Sequence, residues 1–86
     1  MLIIHSKRYR KDLKRCILRH YDMNKLNLLI DSILSHQLSS EWECHPLKGN
    51  YSRCMDCHVD EDWVLIYQIK NNVLYLERTG THSDVF

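Results

Sequence analysis

The stretch DWVLIYQIKNNVLYLERTGTH, residues 62–82, decides how the rest of the chain must be arranged. Two runs rich in β-branched and aromatic residues, 63–70 and 73–79, flank Asn71-Asn72, a pair suited to a tight hairpin turn. In the first run Trp63, Leu65, Tyr67 and Ile69 alternate with Val64 and Ile66, so the two sets define opposite faces of a sheet. A hairpin alone is marginal in water and needs a further strand or a helical layer. The flanking sequence has to supply both.

Upstream, Leu2-Ile3-Ile4 reads as a short strand. Ser6 can cap a helix over 7–20 that turns Tyr9, Leu13, Cys16, Ile17 and His20 inward. Asp22 can cap a second helix over 23–36, whose Met23, Leu26, Leu29, Ile30, Ile33 and Leu34 follow a helical period. The short link between them favours an antiparallel pair. A loop over 38–50 holds Pro46 and Gly49, and a strand over 51–58 precedes the hairpin. The expected fold is α+β, a single two-layer domain over 1–86 in the order β-α-α-β-β-β. Two N-terminal helices cover one face of a small, mostly antiparallel sheet and leave the other face free for function.

Eighty-six residues lie near the lower limit for a single hydrophobic core, and 44% hydrophobic content argues against disorder. Residues 1–20 carry seven Lys or Arg against Asp12 alone, while the remainder carries five basic and ten acidic residues. The halves are therefore +6 and −5, which sum to the net +1. A basic helix suits nucleic acid or an acidic protein partner, and also an ordinary solvated face. The longest apolar run is broken by Gln68, Lys70, Asn71 and Asn72, so no membrane span is expected. The opening MLIIHSKRYRK has its charges after its apolar residues, the reverse of a secretion signal, which makes the cytoplasm the default. In that compartment Cys16, Cys44, Cys54 and Cys57 should be thiols or metal ligands rather than disulfides. Cys44-His45 with Cys54, Cys57 and His58 has the look of a zinc site. Against it, one half-site is a directly adjacent pair and the intervening pattern alternates like a strand.

The sheet region gathers His45, His58, Asp62, Trp63, Arg78 and His82. Serine nucleophile elbows, phosphate-binding glycine loops and carboxylate clusters are missing. Histidine exchanges protons near neutral pH, arginine grips a phosphodiester, and an aromatic ring stacks on an unpaired base. Together these are the parts of a metal-independent ribonuclease. The hairpin sets Asp62 and Trp63 opposite the strand exit near Arg78, and the Thr79-Gly80-Thr81 turn can bring in His82. A lone strand-end histidine such as His58 is more often structural, and Trp63 can as well pack beneath a site as face a base. His5, His20 and His36 read as surface or boundary residues.

HPLKG at 45–49, DCHVDEDWVLIYQI at 56–69 and LERTGTHSDVF at 76–86 closely resemble the YafQ-like branch of the RelE superfamily of bacterial toxins. The resemblance spans essentially the whole chain. It implies a small ribonuclease that enters the ribosomal A site, cuts messenger RNA during translation and is held inactive by a cognate antitoxin. It implies a basic concave site without metal or cofactor and a 2′,3′-cyclic phosphate product. Carried onto this chain, the family's site residues are His45, His58, Asp62, Trp63, Arg78, His82 and Phe86. Met55 stands where the branch commonly has arginine; Arg53, two positions earlier on the same strand face, is the candidate replacement. Glu61 stands where a proline is common. The expected roles are phosphate binding for Arg78, general acid for His82, and activation of the 2′-hydroxyl by His58 or His45 with Asp62. Phe86 would position the nucleotide. The other readings are an RNA-binding module without catalysis, using the basic helix, and a zinc-stabilised interaction protein.

Overall fold

The computed structural model describes residues 1–86, and in it the hairpin is the centre of a five-stranded sheet. The elements are β1 (Leu2–His5), α1 (Lys7–Leu18), α2 (Met23–Leu34), β2 (His45–Pro46), β3 (Met55–Asp60), β4 (Trp63–Lys70), β5 (Val73–Gly80) and a terminal α3 (His82–Val85). Single 3₁₀ turns occupy Ser40–Trp42 and Gly49–Tyr51. The strand order is β1-β5-β4-β3-β2, with β1 parallel to β5 and the other pairs antiparallel. No helix is long and apolar enough to cross a membrane.

The two caps form as expected: the Ser6 hydroxyl accepts from the Tyr9 amide, and the Asp22 carboxylate from that of Asn24. Both helices end two residues early, at Leu18 and Leu34. His20 and His36, with φ of 62° and 57°, turn the chain out of helix. The main core lies between the helices and the sheet and includes Tyr9, Leu26, Leu29, Ile33, Trp63, Leu65, Leu74 and Leu76. Ile17 and His20, expected inside, are exposed.

Three expectations are corrected. The strand placed at 51–58 begins only at Met55, because a 3₁₀ turn ends at Tyr51 and Arg53 adopts φ 75°, which an extended strand cannot contain. The sheet face away from the helices is only partly free: Val64, Ile66, Cys54 and Val85 form a second small core there, flanked by Leu47 and Tyr51. And Cys44 is bonded to Cys57. The pairing of His45 with Asp56 sets residues 44 and 57 directly opposite, with Cα atoms 4.1 Å apart, so strand register brings two thiols together that spacing alone did not. Cys57 belongs to the helix-side core and Cys54 to the opposite one, which dismantles the proposed zinc set.

Candidate active site

Register explains why the site residues meet. His45 pairs with Asp56, Asp56 with Ile66, and Ile66 with Arg78, forming one row across four strands. In the neighbouring row His58 pairs with Val64 and Val64 with Gly80. Val64 and Ile66 face away from the helices, so His45, Asp56 and His58 share that face. A bulge in β5 adds Arg78: Tyr67 pairs with Leu76 but Ile66 with Arg78, leaving Glu77 as the extra residue. Without it, Arg78 would follow Leu76 into the helix-side core. Such bulges commonly re-aim a side chain beside a functional site.

His82 arrives on α3, a helix too short to persist by itself. The Thr81 hydroxyl accepts from the Asp84 amide and the Asp84 carboxylate from the Thr81 amide, a reciprocal cap. Arg19 clamps the same carboxylate at 2.6 Å and pulls its pKa well below the ordinary carboxylate range. Gly80 has φ 150°, and a Cβ there would lie 2.8 Å from an Asp84 oxygen, so the turn between Arg78 and His82 requires glycine.

The rings form a continuous row. His45 and His58 have centroids 6.2 Å apart, His58 and His82 5.7 Å, His82 and Phe86 5.9 Å, and Phe86 and Tyr51 5.8 Å. Each histidine has an acidic neighbour. His82 Nδ1 lies 2.7 Å from Asp62, His58 Nδ1 2.9 Å from Glu43, and His45 Nε2 3.5 Å from Asp56. Asp62 also accepts from the His82 amide, and bonding to His82 lowers its pKa. With Nδ1 held in this way, Nε2 of His82 is the nitrogen available for proton transfer.

Several sequence expectations change here. Asp62 attends His82 rather than His58 or His45. Trp63 is 3% exposed, packed in the helix-side core with Nε1 donating to Thr79 Oγ1 at 2.8 Å, and cannot stack on a base. Arg53 lies in the turn before β3, outside the strand, so alternation does not carry it to the position-55 face. Phe86 is exposed and its ring stacks beside that of His82. Arg78 is there too, but its guanidinium is engaged. Nε and one terminal nitrogen donate to Asp12 at 2.6 and 3.1 Å, and further bonds run to the Tyr51 hydroxyl and the Asp84 carbonyl. Four of the roughly five donors an arginine owns are thus taken by protein groups.

Asp56 was not singled out from sequence. It is 3% exposed, and its Oδ1 is buried without a hydrogen-bond partner. A native protein rarely leaves a carboxylate oxygen unsatisfied without a functional reason. The readable signal was its place two residues before His58, which on a strand means the same face. The ligand atoms of Asp56, His58 and His82 lie within 4.8 Å of one another, close enough to hold a metal ion. Glu43, Asp56 and Asp62 each border one histidine of the cluster. The cations stand beyond Phe86.

The chain is similar to known proteins in sequence and in fold. The chain is 41% identical over 86 residues to the mRNA interferase toxin YafQ of Escherichia coli strain K12, spanning 98% of this chain and 94% of that relative. The Escherichia coli DinJ-YafQ toxin-antitoxin complex contains a chain of the same fold, with a TM-score of 0.89 and 41% identity, covering 98% of this chain and 94% of that one. A metal-bound toxin from Helicobacter pylori matches with a TM-score of 0.92 and 36% identity over 100% of this chain and 99% of that one. The family model for YafQ, bacterial toxin of type II toxin-antitoxin systems, matches residues 1–86, and the chain belongs to that family.

Proposed function

We propose that this protein is an endoribonuclease toxin that cuts messenger RNA in the ribosomal A site by metal-independent acid-base catalysis. The observation that carries the reading is the meeting of His45, Asp56, His58 and His82 on one sheet end beside the exposed Phe86. His58 takes the proton of the 2′-hydroxyl; it lies between the other two histidines, and Glu43 holds its Nδ1. The freed oxygen attacks the adjacent phosphorus. His82, oriented by Asp62, gives its Nε2 proton to the departing 5′-oxygen, which leaves a 2′,3′-cyclic phosphate. His45 and Asp56 border the attacking side. Arg78, its fork held by Asp12, has only one N–H left for phosphate and contributes positive charge chiefly through the field.

A domain this small has little surface with which to order free RNA, so the ribosome supplies the positioning that makes the reaction effectively intramolecular. An antitoxin partner follows from the Escherichia coli complex. In α1, Lys7, Arg8, Lys11 and Lys14 are exposed and form no ion pair, which leaves them to steer an acidic partner segment. Mapping 5′ ends in a translation extract tests the reading. Codon-spaced cuts that vanish when initiation is blocked are expected, with His82→Ala lowering turnover by about 10²–10⁴-fold. Equal cutting with initiation blocked refutes the ribosome requirement, and full activity in His82→Ala refutes the acid.

A further inference from the structure

We propose that the groove between the first turn of α1 and the turn at Lys48–Tyr51 binds backbone phosphate of the single-stranded message flanking the scissile bond, through Arg8 and Lys48. This rests on the ribonuclease reading and adds a substrate subsite to it. The groove, about 690 Å³, is lined by Arg8, Lys48, Tyr51, Arg78, Asp84 and Phe86. That volume falls in the range of clefts that hold a nucleotide-sized ligand.

Charge accounting gives the groove its sign. The Arg78 guanidinium is matched by Asp12 at 2.6 Å, and the Asp84 carboxylate by Arg19 at 2.6 Å with Arg15 at 3.7 Å. Arg8 and Lys48 are exposed and belong to none of the ion pairs in the protein. Arg8 and Lys48 are thus left without an ion-pair partner. On the other side of Phe86, the histidines are bordered by Glu43, Asp56 and Asp62. A polyanionic strand with its reacting phosphate among those histidines is repelled on the acidic side and attracted over Phe86 into the groove.

The rings make the path continuous. Phe86 contacts His82 on one side and Tyr51 on the other, so a base can leave the histidine cluster without leaving an aromatic surface. Aromatic plates with cations alongside are how proteins hold single-stranded nucleic acid without reading its sequence. The subsite therefore adds affinity and register rather than base preference.

Counterion release turns this into a number. Each phosphate contact on a single strand contributes about 0.7 to the slope of log affinity against log salt. A short RNA with a 2′-deoxy residue at the cleavable position can be titrated with the intact protein between about 50 and 200 mM salt. Arg8→Ala with Lys48→Ala should reduce the slope by about 1.4, each alone by about 0.7, and Arg8→Lys with Lys48→Arg should restore it. Both side chains are exposed, and equal melting temperatures confirm that the variants fold. A slope unmoved by the double substitution overturns the subsite, whatever happens to antitoxin association, to which Arg8 also contributes. Cleavage by the unsubstituted protein in a translation extract is scored separately. Slope loss without any cutting keeps the phosphate site and rejects the nuclease; cutting without slope loss does the reverse.

Discussion

Replacing Asp12 by alanine should damage this protein more than any loss of surface charge could. Asp12 is 2% exposed and accepts from Arg78 Nε at 2.6 Å, the Arg78 terminal nitrogen at 3.1 Å, the Thr79 amide at 3.2 Å and Arg15 at 3.3 Å. It serves the edge of β5 that β1 leaves open beyond Leu76. Breaking such a buried pair from one side costs about 3–5 kcal/mol, because the abandoned charge stays where it was. The buried Thr79 amide loses its acceptor as well. Total stability for a domain is only about 5–15 kcal/mol, and 1 kcal/mol corresponds to about 4–8 °C in melting temperature at this size. Asp12→Ala should therefore melt at least 12 °C or so lower. Urea unfolding followed by tryptophan fluorescence gives the free energy. Arg78→Ala and the double variant then complete a cycle, for which we expect a coupling of about 2 kcal/mol or more. Single losses below about 1 kcal/mol, or strictly additive ones, would refute the claim that Asp12 holds Arg78. The cycle also bears on chemistry: lost cleavage in Arg78→Ala counts as catalytic only after correction for the fraction unfolded.

Trp63→Phe should cost about 1 kcal/mol through the lost bond to Thr79 and leave cleavage of translated messages within about twofold. A large loss of cleavage at unchanged stability would place the ring on a base after all. Asp84 and Asp62 both have pKa values depressed by their partners, led by Arg19 and His82 respectively. Depressed carboxylates stabilise the fold above their unfolded pKa near 4 and lose that contribution as pH falls through the folded value. Stability should decline below about pH 4, and Asp84→Asn should flatten that limb in pH-dependent unfolding. An unchanged limb would mean that the α3 clamp is not coupled to folding.

Patterns with short range were legible in the sequence. Period-two alternation over 63–70, Asn71-Asn72, the Ser6 and Asp22 caps and the helical spacing of Leu26, Leu29 and Ile33 each depend on residues a few positions apart, and all formed. The site was legible as a set of residue types, and the motifs around His45, His58 and His82 named most of its members. Which side chain touches which was not legible, because partners were separated by dozens of residues and chosen by register. A bulge at Glu77 sent Arg78 to Asp12, 66 residues away, and away from the full phosphate grip that its chemistry suggested. Asp56 escaped notice because its unsatisfied oxygen is a property of burial, and Trp63 stayed open between two roles because alternation names two faces without saying which one the helices cover. The Cys44–Cys57 bond follows from the β2–β3 pairing, the cationic groove from cancellation of Arg78 by Asp12 and of Asp84 by Arg19. Local propensity acts over one turn or one strand; charge and hydrogen bonding act across whatever distance the folded chain has closed, and only the tertiary structure closes it.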